Sequence, residues 1–338
     1  MSRNVLVTGG AGYIGSHTCK ALAAAGYTPV AYDNLVYGHE WAVRWGPFER
    51  GDILDRERLS SVFAAYRPVA VVHFAAFTYV GESVRDPLKY YRNNVLGSLA
   101  LLTRMREHGV SRIVFSSSCA IYGIPQFLPI AEDMPHAPIN PYGQTKLMVE
   151  HMLSDSAAAY GLSYCALRYF NAAGADREGE IGEDHAPETH LIPLAIATLL
   201  DPAATLDVHG RDYATPDGTA IRDYIHVDDL ARTHVAALDR LLAGGEPVAL
   251  NVGSGRGASV LEVIAAVERA TGRKVRWNCG PRRPGDPDVL VADPGRLKSV
   301  LRIDPAGFAG LDDIAASAWR WHSTRPRLAP IRRTAMAQ

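Results

Sequence analysis

Charge of either sign is not in excess in this chain of 338 residues: 35 Lys and Arg stand against 36 Asp and Glu, for a formal net charge of -1. That balance offers no basic face for nucleic acid and no polybasic patch for a membrane surface. No apolar run approaches the length of a membrane span, and the start, Met1-Ser2-Arg3, leads straight into an apolar strand without the apolar core of a signal peptide. Cysteine is scarce. Cys19, Cys119, Cys165 and Cys279 are scattered with no C-x-x-C spacing, which argues against a zinc knuckle or a dithiol redox pair and reads as four small core residues in a reducing compartment. Internal repeats and low-complexity segments are lacking too. These absences describe a soluble, cytoplasmic, globular protein, long enough for two domains or for one large domain with an appended lobe.

What is present is organised by alternation. Val5-Leu6-Val7-Thr8 is a short apolar run that turns into Gly9-Gly10-Ala11-Gly12-Tyr13-Ile14-Gly15, and an alanine-rich helix follows to Ala25, stopped by Gly26. In this G-x-x-G-x-x-G spacing Gly9 permits the turn, Gly12 lets backbone approach a pyrophosphate, and Gly15 lets helix and strand pack closely. Glycines alone are equally consistent with a tight strand-helix turn. The strand Pro29–Tyr32 ends in Asp33, 18 positions beyond Gly15, where a carboxylate accepts ribose hydroxyls and repels a 2′-phosphate. Its neighbours Asn34 and Leu35 bring no arginine, so NAD is favoured over NADP. Further strands are expected at Phe48–Arg50, Val69–Ala76 and Arg112–Phe115, with Asp52-Ile53 and Ser116-Ser117-Ser118 just beyond two of them. Strands alternating with helices imply a parallel sheet covered on both faces, with ligands beyond the carboxyl ends of its strands.

Tyr142 and Lys146, just after Pro141, are four apart and share one face of a helix. For a tyrosine to act as a base at neutral pH its pKa must fall by about three units, roughly 4 kcal/mol of charge stabilisation, which a nearby ammonium and a cationic nicotinamide can supply. Taken alone the pair is common on amphipathic helices.

Together, Gly9–Gly15, Ser118, Tyr142 and Lys146 resemble the extended short-chain dehydrogenase/reductases, and more closely the UDP-glucose (UDP-galactose) 4-epimerases. The segments that carry the likeness are TGGAGYIGSH (8–17), YDNL (32–35), VVHFAA (71–76), VGES (80–83), YYRNNV (90–95), FSSS (115–118), PYGQTK (141–146), LRYFNAAGA (167–175), DGTAIRDYIHVDDLA (217–231) and RRPGDP (282–287). They span residues 5 to about 293.

The resemblance implies an α/β fold: a Rossmann-type doubly wound parallel sheet with a smaller C-terminal α/β substrate lobe. It places an NAD domain at 1–171 and a discontinuous UDP-sugar lobe at 172–338, strands around 221–252 returning to the first. It implies tightly bound NAD held by Gly9, Gly12, Tyr13, Ile14, Gly15, Asp33, Asn34, Asp52, Ile53, Phe74, Ala75, Ala76, Asn94, Lys146 and Tyr169. Tyr142, Lys146 and Ser118 become catalytic. Chemistry does not choose among the three serines; the family motif selects Ser118 and leaves Ser116 and Ser117 as strand-end caps. Substrate contacts follow at Asn171, His190, Leu191, Arg222, Arg283, Asp286 and Leu290. Leu290 is the gate position, where a large residue restricts the sugar and a small one admits N-acetyl groups. UDP-glucose/galactose ranks first, a UDP-pentose second, an N-acetylhexosamine third. A homodimer is implied, pairing the helices around 94–105 and 144–156.

Related 4,6-dehydratases carry Asp-Glu after the active serine or threonine. Here Cys119-Ala120 stand there, which argues against elimination. A net dehydrogenase would have to release reduced cofactor each cycle, and a non-catalytic NAD sensor would show a broken Ser-Tyr-Lys set. Glu183, Asp184, His185, Glu188 and His190 match no metal-ligand spacing and read as solvated loop, so no metal is expected. His73 reads as a satisfied core histidine and His226 is open. A last amphipathic helix is expected from Leu311 to Trp321, with a fraying tail from Arg325.

Overall fold

The computed structural model describes residues 3–283 and 285–324; the tail expected to fray lies outside them. Thirteen strands among the described residues are β1 (Asn4–Thr8), β2 (Thr28–Asp33), β3 (Phe48–Arg50), β4 (Ala70–His73), β5 (Arg112–Ser118), β6 (Ser163–Tyr169), β7 (Asn171–Ala173), β8 (Leu206–His209), β9 (Ile221–His226), β10 (Val248–Val252), β11 (Gly257–Ser259), β12 (Trp277–Gly280) and β13 (Val289–Leu290). Seven form one sheet in the order β3-β2-β1-β4-β5-β6-β10, every pair parallel.

The apolar strand runs are explained by two buried faces. Val5, Val7, Val72, Val114, Cys165 and Leu167 point to one side, against helices Tyr13–Ala24 and Val227–Leu242. Their neighbours Leu6, Val71, Ile113, Phe115 and Ala166 point to the other, against Arg56–Tyr66, Gly97–Glu107 and Pro141–Tyr160. A side chain fully buried in this way contributes about 1.5–3 kcal/mol, so neither face tolerates a polar alternation. The strand order reverses direction between β1 and β4, and the crevice there opens beside Gly9 and Phe74-Ala75.

Beyond β6 the chain builds a smaller layer. β9 pairs with β7, β11 and β13, β8 pairs with β12, and helices Leu191–Leu200, Val260–Thr271 and Leu311–Thr324 enclose a separate apolar cluster.

Three expectations change here. Val248–Val252 does return to the main sheet, beside β6, but Ile221–His226 does not. The reason is Asp223 at the centre of β9: its fully buried carboxylate accepts from Ser254 N (2.8 Å), Ser254 Oγ (2.7 Å), Gly255 N (2.9 Å) and Ala292 N (3.2 Å). Three of these donors belong to the loop that follows β10, so the carboxylate ties β9 to the end of the main sheet rather than into it. Cysteine also divides. Cys19 and Cys165 are core, Cys119 is half-buried, and Cys279 is exposed on the two-stranded β8–β12 ribbon; none of them is in a disulfide. Helix Leu311–Thr324 is longer than expected.

Candidate active site

The glycine turn is built to the tolerance of single atoms. Gly9 sits at φ 74°, and a Cβ there would meet Ala75 N at 2.7 Å; a Cβ on Gly15 would lie 2.0 Å from Gly9 O. On Gly12 it would meet only Gly9 O, at 3.3 Å, so that face of the turn is open toward the crevice. Asp33 ends β2 beside it, accepting from Ala11 N (3.0 Å) and Leu35 N (2.8 Å). Burial raises its pKa against these hydrogen bonds. Each oxygen retains a lone pair. Asn34 donates to Asp52 (3.0 Å), and Ile53 packs where Gly97 lacks a side chain. Turn, carboxylate and pocket floor fit the pyrophosphate, ribose and adenine of NAD.

Other expected cofactor residues also make contacts within the protein. The Tyr13 hydroxyl donates to Gly174 O (2.7 Å), clamping the first helix to the second lobe. Ile14 packs under the turn. Asn94 lies in a π-helical turn, Tyr91–Leu96. Its side-chain oxygen accepts from Phe77 N (2.8 Å) and Asn93 (2.9 Å), and its amide donates to Phe77 O (3.0 Å) and Thr145 (3.1 Å). All of its side-chain capacity is used within the protein. Phe74 and Ala75 follow β4, their amides donating to Thr8 O (2.8 and 3.1 Å), and Ala76 follows them on the same crevice-side loop. His73, beneath, bonds Thr8 (2.6 Å) and Ser98 (2.8 Å) through its two ring nitrogens; it is the satisfied core histidine expected. His226 caps helix Val227–Leu242, accepting from Asp228 N (3.1 Å) and meeting Ser317 Oγ at 3.0 Å.

Helix Pro141–Tyr160 starts with Pro at its first position and with Asn140 capping Gly143 N (2.8 Å). Tyr142 and Lys146 therefore face β5 from the first two turns. Tyr142 N donates to buried Ser83 Oγ (3.2 Å), and Ser118 lies near enough to the Tyr142 phenol to lower its pKa. Ser118 Oγ accepts from Ala120 N (3.2 Å), which leaves its own proton free to donate. Lys146 Nζ donates to Ser116 O (2.7 Å) and lies 5.1 Å from the Phe115 ring centre and 5.8 Å from that of Tyr142.

Burial pushes Tyr142 up to about 12, against the lowering influence of Ser118. Burial also pulls Lys146 down to about 7, against the carboxylate of Glu150. The expected lowering of Tyr142 by Lys146 is thus not delivered by protein groups alone, since desolvation dominates both. Ser116 and Ser117 are not strand-end caps: Ser116 bonds the Tyr169 hydroxyl and Ser117 donates to Glu150. Glu150 in turn grips Arg168 (2.6 Å), both buried. Reading the sequence passed over Glu150, although it continues the Tyr142–Lys146 face at the same four-residue spacing.

On the second lobe Arg222 donates to Asp286 (2.5 Å) and to Ile221 O (2.7 Å). Leu290 pairs in register with Arg222 and packs with Ile121, Tyr122 and Phe170, just past Ser118. Asn171 donates to Asp223 O (3.2 Å). Arg283 stands near His209, whose pKa falls through burial and then through that charge. His190 and Leu191 open helix Leu191–Leu200.

The acidic loop before them is solvated only along its rim, where Ala186, Pro187, Thr189 and His190 are exposed. Glu183 is 2% exposed, and His185, Glu188 and His190 gather on it, all four donor atoms within 4.8 Å of one another. Burial opposes a charge on His185, yet Glu183 and Glu188 outweigh it and raise the ring to about 10. Spacing alone could not show this, because the loop is folded by distant partners: Trp321 Nε1 donates to Glu183 O (2.9 Å) and the Tyr79 hydroxyl to Pro187 O (2.9 Å).

A doubly wound sheet whose strand tips carry an open glycine turn, a ribose-binding carboxylate and a Ser-Tyr-Lys set defines a nicotinamide-dinucleotide enzyme scaffold. Residues 5–253 match the model of the NAD dependent epimerase/dehydratase family, and the chain belongs to that family. It is 53% identical over 324 residues to the UDP-glucose 4-epimerase of Rhizobium meliloti, covering 96% of this chain and 98% of that one. Among solved structures it is similar to the UDP-glucose 4-epimerase of Brucella ovis in complex with NAD, at 56% identity and TM-score 0.90, covering 94% and 98% of the two chains. It is similar also to the UDP-glucose 4-epimerase of Stenotrophomonas maltophila with bound NAD and formylated UDP-arabinopyranose, at 41% identity and TM-score 0.89, covering 94% and 97%.

Proposed function

We propose that this chain catalyses the NAD-dependent 4-epimerisation of a UDP-sugar, UDP-glucose and UDP-galactose before others, through a transient 4-keto sugar. The observation that carries the reading is the intact set Ser118, Tyr142 and Lys146 at the tips of β5 and the facing helix. When bound, NAD would supply the acceptor for the C4 hydride and the donor for its return to the opposite face of the ring. Everything else falls to the protein. Tyr142 takes the proton of the 4-hydroxyl and later gives it back. Ser118 steadies the 4-oxygen and the phenolate by donating to them. Lys146 is held by Ser116 O so that its charge serves the ribose and the phenolate together. Burial of Tyr142 makes the phenolate dependent on the positive charge that arrives with cofactor, which couples proton removal to the loaded site.

Gly9–Gly15, Asp33, Asp52 and Ile53 hold the dinucleotide through backbone and carboxylate, and residues 1–171 supply most of that domain. The second lobe supplies most of the UDP-sugar contacts, with His190, Leu191, Arg222, Arg283 and Asp286 joining Asn171 around the diphosphate and uridine. Planar guanidinium groups suit a diphosphate. Leu290 borders the sugar. It is intermediate in volume, so a UDP-pentose is the second reading, supported by the arabinopyranose derivative bound in the similar Stenotrophomonas enzyme. A homodimer would cover Leu96 and Leu99, which are 43% and 46% exposed on the helical face expected to pair. No helix among the described residues is long and apolar enough to cross a membrane; a reducing cytoplasm suits the unpaired cysteines. The test is to supply UDP-galactose, UDP-L-arabinopyranose and UDP-N-acetylgalactosamine to purified protein and follow C4 configuration by proton NMR. Conversion without net NADH supports the reading, and absence of conversion after NAD is supplied overturns it.

A further inference from the structure

We propose that Glu183, His185, Glu188 and His190 form a site for one divalent transition-metal ion of the zinc class, two imidazole nitrogens and two carboxylates being its donors. The site stands whether or not the epimerase reading holds.

The first observation is convergence. His185 Nδ1 lies 3.0 Å from Glu183 and 3.7 Å from Glu188, and His190 Nδ1 contacts the same Glu183 oxygen and lies 3.9 Å from Glu188. Donors that share one ion at bonds of about 2.0–2.2 Å stand about 3–4 Å apart; the spacings match except for His190 and Glu183, which are hydrogen-bonded directly and would part to admit the ion.

The second observation concerns His185. Its Nδ1 is buried and has no partner in hydrogen-bonding geometry, although two carboxylates are near. His185 Nδ1 thus faces the cluster without a hydrogen bond of its own, while Glu183 is held by His190. A buried nitrogen left in this way costs about 1–3 kcal/mol unless a partner meets it.

Charge and donor type set the ligand. Among the described residues no Lys or Arg forms an ion pair with Glu183 or Glu188; only His185 and His190 balance them, and an ion that displaced the ring protons would meet two carboxylates and two neutral rings. The nearby Asp176, Glu178 and Glu180 show the contrast: Lys20 closes on all three at 2.8, 2.7 and 2.8 Å, so that cluster is already neutralised from within. Mixed imidazole and carboxylate donors suit zinc, cobalt or nickel, whereas magnesium and calcium take oxygen.

The frame is already rigid. Trp321 and Tyr79 fix the loop backbone as described, the His39 ring bonds Asp184 O (2.7 Å), and the Thr189 and His190 amides donate to Glu188 (2.7 and 2.8 Å). An ion on His190 Nδ1 would leave Nε2 as the proton-bearing nitrogen on the exposed rim, beside the residue that opens helix Leu191–Leu200.

The test uses untagged full-length protein, treated with chelator and dialysed, then titrated calorimetrically with Zn2+ and, in parallel, with Co2+ followed by its visible absorption. His185→Asn and Glu188→Gln are the variants, since Glu183 is too deeply buried to be changed safely; circular dichroism checks their folding. The expected result is saturable binding of one ion per chain, weakened about tenfold or more in each folded variant. Absence of saturable Zn2+ binding to the unmodified chain would overturn the proposal. So would unchanged affinity in both variants, which would leave the four residues as an ion-pair cluster alone.

Discussion

Lys146 Nζ donates to the main-chain carbonyl of Ser116 and stands 5.8 Å from the centre of the Tyr142 ring. The ammonium is thus parked beside the phenol and not spent on a carboxylate. Glu150, the nearest acid on the same helix face, is committed to Ser117 and Arg168. Burial favours the protonated form of Tyr142, and positive charge arriving with a cofactor would favour its loss, the behaviour expected of a base that acts only in a loaded site.

The first prediction removes the base. Tyr142→Phe keeps the ring and the amide that donates to Ser83 and deletes only the hydroxyl. Turnover should fall by about 10²- to 10⁴-fold, with UDP affinity within a few-fold of wild type by calorimetry. Equal loss of binding and turnover would make Tyr142 a structural residue.

The ion pair beneath the site gives a second. Glu150 and Arg168 are both buried at 2.6 Å, so Glu150→Ala leaves a guanidinium without its counter-charge and should cost about 3–5 kcal/mol in urea denaturation. The double variant Glu150→Met/Arg168→Met should recover much of it. A single variant as stable as wild type would contradict the arrangement.

Much of this site is legible in sequence because it is local. Gly9–Gly15, Asp33 and the four-residue step from Tyr142 to Lys146 each declare themselves within one turn or one strand end. What escapes is what depends on distant partners. Ser116 and Ser117 look like caps until Tyr169 and Glu150 arrive from the next strand and the facing helix. The loop at 183–190 looks solvated until Trp321, far along the chain, closes over it. β9 looks like a returning strand because Tyr224 and Ile225 are apolar, and only the donors gathered on Asp223 reveal its other sheet.

Acid sensitivity follows from buried neutral histidines. Burial lowers His73 to about 3, and His17, His226 and His234 to about 4, outweighing the carbonyls and carboxylates that raise some of them. Below about pH 6.5 the unfolded chain binds protons that the folded one refuses, so each group removes about 1.4 kcal/mol per pH unit down to its folded value. Denaturation midpoints should therefore fall steeply between pH 6.5 and 4. His185, raised to about 10 by its carboxylates, has the opposite sign, with its stabilisation lost as pH rises toward 10. His234→Phe should flatten the acid slope by about one proton, and an unchanged slope would count against a neutral His234.

Sugar choice is predicted to turn on Leu290. Leu290→Ala should raise the turnover of UDP-N-acetylgalactosamine relative to UDP-galactose by about tenfold or more, the scale of a side-chain volume change of 1–3 kcal/mol. A constant ratio in competition assays would remove Leu290 from the sugar subsite.

The central claim is that hydrogen leaves C4 and returns to it within one closed site, and deuterium at that carbon tests it most directly. UDP-galactose labelled with deuterium at C4 should give UDP-glucose that keeps the label at C4, with no NADH released, as read by NMR and mass spectrometry. Loss of the label to solvent would contradict the account, because C4 would then be deprotonated and reprotonated with no hydride passed and returned.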